Sequence, residues 1–256
     1  QPEKFVEGLY KLGIATPLNL DIPGAAKKPN IRKPTKENWY KTALPWMSIG
    51  YETQVPPMNT LAFYNAIANN GVMVKPKFVK AIMKDGQVVE EIPTEVLNPA
   101  IASPKTIEQI QTILQKVVSD GLAKPAGSKQ FHVSGKTGTA QVSKGSGGYK
   151  SGQMQYLVSF CGYFPSEAPK YSCIVAIQKP GLPASGGLMA GSVFSEIAER
   201  VYAKHLAQDL KEAKDSTSIL TPDVKHGNLA NARYILDEID TKTNGVEDYK
   251  KNKPIW

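Results

Sequence analysis

The run FHVSGKTGTAQ, residues 131–141, sets an ammonium at Lys136, hydroxyls at Thr137 and Thr139, and a position without a side chain at Gly138. Together these groups can dock an anion: Lys136 supplies charge, the threonines donate hydrogen bonds, and Gly138 lets another backbone come close. A Gly-Lys-Thr triplet also suggests a phosphate-binding loop, in which glycine amides cradle phosphates, lysine reaches them and the hydroxyl meets magnesium. That spacing requires glycine five positions before Gly135, and Gln130 stands there. The phosphate-loop threonine would also open a helix, whereas Thr137 leads into Gly138 and then a Gly/Ser run over 143–148 that continues a helix only at a cost. Alternation of Phe131 and Val133 with His132 and Ser134 predicts a strand instead, carrying Lys-Thr-Gly along it or at its end.

The chain that must hold this strand has 256 residues, 41% of them hydrophobic, enough to bury a real core. No apolar run approaches the roughly 18 residues of a membrane span, and the first ten residues lack a basic-then-apolar leader. The expectation is a soluble chain, with any export signal or anchor lying upstream. The net charge of +8 suits an anionic partner, but the basic residues are scattered. The densest cluster, Lys27 to Lys36, is interrupted by prolines and has no interleaved aromatics, so it reads as a solvated loop and not a nucleic-acid contact. Cys161 and Cys173 lack CxxC spacing, which argues against a metal site; buried free thiols are expected, with a disulfide open in an oxidising compartment. His132, His205 and His226 lack ligand spacing and support no Ser-His-Asp triad. Trp39, Trp46 and Tyr51 are expected to pack or roof a loop.

The surrounding elements follow from periodicity. Phe5, Val6, Leu9 and Leu12 predict a helix over 3–12, stopped at Gly13, before an irregular proline- and lysine-rich excursion over 19–38. PPMNTLAFYNAIANNG predicts a second helix with Met58, Leu61, Ala62, Asn65 and Ala68 on its face. A hairpin is expected around Asp85-Gly86, and a third helix from Ser103-Pro104 with Ile107, Ile110, Ile113, Leu114, Val117 and Val118 as its stripe, closed by Gly121. After the Lys-Thr-Gly strand and a mobile loop over 143–152 come two strands, YLVSFCGYFP and YSCIVAIQKP. A last helix is expected from about 188 to about 210, with Val193, Phe194, Ile197, Val201 and Leu206 buried. Short strand links imply antiparallel pairing, hence an α+β fold with an antiparallel sheet flanked by helices.

The ordered context of SGKTGTAQ, with MSIGYETQVPPMNTLAFYNAIANNGVMVKP before it and GGLMAGSVFSEIAERVY after, resembles the C-terminal part of a penicillin-binding protein transpeptidase domain. The resemblance runs from residue 1 to about 210 and is greatest to the class B, division-type septal transpeptidases, whose fold is shared with serine β-lactamases. It implies that Lys136 and Thr139 are catalytic, and that Thr137, Gly138 and Thr139 bind substrate. Lys136 would supply potential and help relay a proton. Thr137 and Thr139 would meet a terminal carboxylate, Gly138 would leave room for substrate backbone, and the Thr139 amide would form half of an oxyanion hole.

No serine here has lysine three positions later or asparagine two positions later, so the family's Ser-x-x-Lys and Ser-x-Asn motifs are absent. A chain lacking the N-terminal part of the domain is the expectation, inactive by itself, with an exposed face that favours homo-oligomers or a remodelled N-terminal region. Ser134 is expected to be structural. Residues 1–212 would be the transpeptidase part, and 213–256 a polar linker or tail, possibly leading to a further module. The resemblance implies peptidoglycan stem peptides ending in D-Ala-D-Ala as substrate, β-lactams as inhibitors, divisome proteins as partners, no metal or organic cofactor, and a place outside the cytoplasmic membrane. The alternatives are a serine β-lactamase or D,D-carboxypeptidase, and an inactive muropeptide-binding scaffold or sensor.

Overall fold

The computed structural model describes residues 1–20, 22, 28–142, 155–178 and 182–216, with side chains to 205. Two compact units divide the chain, Gln1–Glu199 and Arg200–Trp256, and the first carries the site. The expected loop over 143–152 and the tail beyond 216 lie outside the described residues, as does the Leu206 side chain.

Helix α1, Pro2–Lys11, ends at Leu12 with Gly13 at φ 80°, the left-handed stop anticipated there. The excursion holds a two-residue strand β1, Asn30–Ile31, which pairs antiparallel with β2, Thr53–Gln54. Between them α2, Ala43–Ser48, was not anticipated: it is six residues long and has no side-chain cap. It buries Ala43 and Met47, and Met47 packs with Val6 of α1 and Ile31 of β1. The apolar face of α1 therefore finds its partner within this segment.

Helix α3, Pro57–Ala68, buries Asn59, Ala62, Ala66 and Ile67; the expected Met58, Leu61, Asn65 and Ala68 are only half-buried. The single-face expectation fails because α3 is packed on several sides. Asn59 donates from Nδ2 to the Thr16 carbonyl at 2.7 Å, while Asn65 donates to Ser172 Oγ at 3.1 Å. Strand β3, Met73–Val74, pairs with β6, Val96–Asn98, around the hairpin of β4, Ala81–Lys84, and β5, Gln87–Glu91. Asp85 and Gly86 take φ 52° and 78°, the positive pair that a primed turn needs.

Helix α4, Pro104–Ser119, starts where expected, with Ser103 Oγ accepting the Thr106 N–H at 3.2 Å. Ile107, Leu114 and Val118 are buried, but Ile113 is 54% exposed. The apolar run is wider than the surface that receives it.

The main sheet has the order β7-β8-β9, all antiparallel, with β7 Ser134–Val142, β8 Gln155–Phe164 and β9 Tyr171–Gln178. Phe131 and Val133 are buried but precede the strand, and Lys-Thr-Gly sits in its first half and not at its end. One π-helical turn, Gly186–Gly191, leads into α5, Ser192–Ser216. The buried line is Ala190, Phe194 and Ala198; the expected Val193 and Ile197 are 42% and 38% exposed. Ala190 and Ala198 flank the Phe194 ring on one face of this segment, which turns Val193 and Ile197 away from the sheet.

Candidate active site

Cross-strand partners share a face of a sheet, so the register sorts the side chains of β7. Thr137 pairs with Phe160, whose ring meets Phe194 of α5 edge to face at 4.7 Å. Gly135, Thr137 and Thr139 therefore face the Gly186–Gly191 turn and α5. Lys136 pairs with Cys161, and Ser134 with Tyr163, which packs among Ala66, Ile67 and Leu114. Ser134, Lys136 and Gly138 thus lie on the α3 and α4 face. The lysine and the threonines stand on opposite faces of one edge strand, a relation that composition alone did not reveal.

They meet at the edge. Lys136 is exposed, and its Nζ donates to the Thr137 carbonyl at 2.9 Å and to Thr137 Oγ1 at 3.3 Å. Four residues on, the Gln141 N–H donates to Tyr51 Oη at 3.0 Å. In an antiparallel pair, alternate residues direct both backbone groups away from the partner strand. Residues 137 and 141 do so here, and the same period puts the Thr139 N–H and C=O on the open edge between them. Among the described residues β7 is thus an edge strand with an ammonium, two hydroxyls and an outward amide within a few residues.

Thr139 Oγ1 accepts the Gly186 N–H at 3.1 Å, a bond that does not use the hydroxyl's own proton. At Gly138 a Cβ would lie 2.6 Å from Ser159 Oγ. Gly186 is tighter still, since a Cβ would come 2.5 Å from the Gly138 carbonyl and 2.7 Å from that of Ser159.

The entrance of β7 is pinned from the β8–β9 turn. Ser134, buried as a structural serine should be, shares a hydrogen bond with Ser166 Oγ at 2.8 Å, and the Ser166 N–H donates to the His132 carbonyl at 2.9 Å. His132 Nδ1 pairs with Glu167, which also accepts from Gln115 Nε2 at 3.2 Å. His132 is exposed and lines no strand face. Burial pushes the Cys161 thiol up, with a smaller push from Cys173, and both cysteines are free. Cys161 pairs with Ile174 and Cys173 with Gly162, so the two side chains occupy opposite faces and no disulfide joins them.

Among the described residues, no group of three His, Cys, Asp or Glu side chains could hold a metal ion, and no helix is long and apolar enough to cross a membrane. Sequence reasoning missed Tyr51, Ser159 and Gly186 as parts of this site. Tyr51 lies 90 positions from Gln141, and nothing local signals the contact.

The family pattern described as the penicillin binding protein transpeptidase domain matches residues 1–199. The chain is 29% identical over 215 residues to the penicillin-binding protein PbpB of Mycolicibacterium smegmatis, covering 80% of this chain and 32% of that protein. It is 30% identical over 199 residues to the probable peptidoglycan D,D-transpeptidase PbpC of Pseudomonas aeruginosa, covering 77% of this chain and 32% of that protein. The chain therefore spans about a third of the length of these relatives. Penicillin binding protein 3 of Mycobacterium tuberculosis superposes with a TM-score of 0.68 at 25% identity, over 80% of this chain and 47% of that one. The same protein complexed with aztreonam gives 0.67 at 25% identity, with the same coverage. A matching pattern across the whole first unit, and solved neighbours with the same α+β architecture, establish that this chain belongs to the penicillin-binding protein transpeptidase domain family.

Proposed function

We propose that this chain supplies the carboxylate-docking and oxyanion half of a peptidoglycan D,D-transpeptidase site. The observation that carries this is the open edge of β7, where the Thr139 amide points outward beside the Lys136 ammonium and the Thr137 and Thr139 hydroxyls. A stem peptide ending in D-Ala-D-Ala can add to such an edge as a further strand, its carboxylate near Lys136 and Thr137 and its penultimate carbonyl at the Thr139 amide. A serine outside these 256 residues attacks that carbonyl, and the tetrahedral oxygen takes the Thr139 N–H as one donor. Removing such a donor raises a barrier by about 2.7 to 4 kcal/mol. D-Alanine leaves, and an amine on a neighbouring strand takes the acyl group.

Two relationships support the substrate class: the relative from Pseudomonas aeruginosa is named a probable peptidoglycan D,D-transpeptidase, and the mycobacterial neighbour is solved with aztreonam and with ampicillin. On this reading β-lactams acylate the same serine, and the site works on the outer face of the cytoplasmic membrane, in cell-wall synthesis at division. Residues 1–212 form the transpeptidase part, and 213–256 a tail. The chain alone does not acylate, because it contains no Ser-x-x-Lys.

Intact-mass spectrometry after exposure to benzylpenicillin tests this on the chain and on its full-length gene product. A stable one-to-one adduct on the full-length protein alone is the expected result. Rapid loss of that adduct would favour a β-lactamase or carboxypeptidase, and no adduct on either would favour a binding scaffold.

A further inference from the structure

We infer that Tyr51 ends the substrate-docking edge of β7 and so fixes how many residues of the donor peptide are read through their backbone. The inference rests on the transpeptidase reading for the identity of that peptide. An unpaired strand edge offers its outward N–H and C=O groups to any extended chain, and nothing in a regular edge says where pairing stops. Here the outward residues are Thr137, Thr139 and Gln141, about 7 Å apart at roughly 3.4 Å per residue. The Gln141 N–H is already spent on Tyr51 Oη at 3.0 Å.

The tyrosine is held in place by the segment that carries it. Its N–H donates to the Trp46 carbonyl at 3.0 Å, and its ring meets that of Trp46 edge to face at 5.3 Å and 83°. The next residue, Glu52, is bent into the left-handed region at φ 59° and is tied to Arg32 at 3.3 Å. Thr53 then enters β2. A left-handed non-glycine beside the blocking side chain marks a backbone held by its surroundings.

A peptide with its carboxylate at Lys136 and its penultimate carbonyl at the Thr139 amide can therefore pair at Thr139 but not at Gln141, the position that its fourth residue from the C-terminus would take in an antiparallel register. The third residue turns its backbone groups away from β7, and the fourth must leave the edge beside Tyr51. Backbone recognition is confined to the D-Ala-D-Ala end, and preceding residues are read through side chains or not at all. Tyr51 is in this sense a specificity-determining residue that acts through Gln141 and needs no contact with the reacting atoms.

Amide hydrogen exchange on the chain gives the first readout. Tyr51→Phe keeps the ring against Trp46 and removes the acceptor, so the Gln141 amide should exchange at least about tenfold faster, with amides in β8 unchanged. The second uses the full-length protein and two donor peptides ending in D-Ala-D-Ala, one carrying an N-methyl group on the fourth residue from the C-terminus, which removes the donor to the Gln141 carbonyl and blocks close pairing there. Both should acylate the unaltered protein within about twofold in kcat/KM. Tyr51→Ala, which opens the edge, should favour the unmethylated peptide by about fivefold or more, because only that peptide can pair at Gln141. Unchanged Gln141 exchange, or strong discrimination already present in the unaltered protein, would overturn the inference. If neither peptide acylates the unaltered protein the transpeptidase reading fails, while the exchange result still decides whether Tyr51 holds the Gln141 amide.

Discussion

The hydroxyl of Thr139 accepts the backbone N–H of Gly186 at 3.1 Å, which locks the proposed docking strand to the turn that opens α5. The lock works because Gly186 has no side chain where it crosses Gly138 and Ser159. Strand β7 is thereby held from its covered face, leaving its edge open.

Gly186→Ala should break this arrangement. The added methyl would lie 2.5 Å and 2.7 Å from two backbone carbonyls, neither of which can swing away as a flexible side chain would. A loss of about 1 to 3 kcal/mol is expected from such overpacking. Urea unfolding of the chain would check it, and β-lactam acylation of the full-length protein should slow in parallel.

Lys136→Ala should separate function from stability. The side chain is exposed and bonds only to its neighbour Thr137 in the described structure, so unfolding should shift by less than about 0.5 kcal/mol. Removing a charge-assisted bond to a substrate carboxylate should lower kcat/KM for acylation by about 10- to 100-fold, from roughly 1.5 to 3 kcal/mol. An unchanged rate would remove Lys136 from the site.

Cys161 should resist alkylation in the native state. Burial raises its thiol pKa and Cys173 adds to the effect, so the reactive thiolate is scarce at neutral pH as well as inaccessible. Cys173 is half-buried with its thiol also raised by burial, and should react slowly. Mass spectrometry with iodoacetamide should show at most slow single labelling when folded and two labels in urea.

The His132–Glu167 pair should give a small acid-side loss of stability. Burial raises the Glu167 carboxyl, but its hydrogen bond to His132 and the further bonds to its own backbone N–H and to Gln115 outweigh this and hold it below the usual range. A carboxyl lowered in the fold stabilises above its unfolded value, about 4.3, and loses that contribution as pH falls through the lower folded value. Both side chains are largely exposed, so the effect should stay under about 1 kcal/mol. Glu167→Gln should flatten the urea midpoint between pH 5 and pH 3 relative to the unaltered chain; an equal acid slope in both would dismiss the pair.

Local signals were legible wherever one residue type answers one backbone demand. Gly13 stops α1, Ser103 caps α4, and Asp85-Gly86 turns the β4–β5 hairpin as their chemistry dictates. Burial faces were less legible. Ile113, Val193 and Ile197 are apolar yet exposed, because helical periodicity shows which residues could face a partner but not how wide that partner is. Helix α2 escaped notice because its six residues are too few to show a period.

The site divides in the same way. The Lys-Thr-Gly-Thr run, its strand character and its family resemblance were determined by the sequence itself, since they depend on neighbours a few positions apart. Which face each side chain takes, that the Thr139 amide stands on the open edge, and that Tyr51 and Gly186 close in on it were decided only by the tertiary structure. These relations join residues 47 and 90 positions apart, and contacts over such separations are set by sheet register and helix packing rather than by any local pattern.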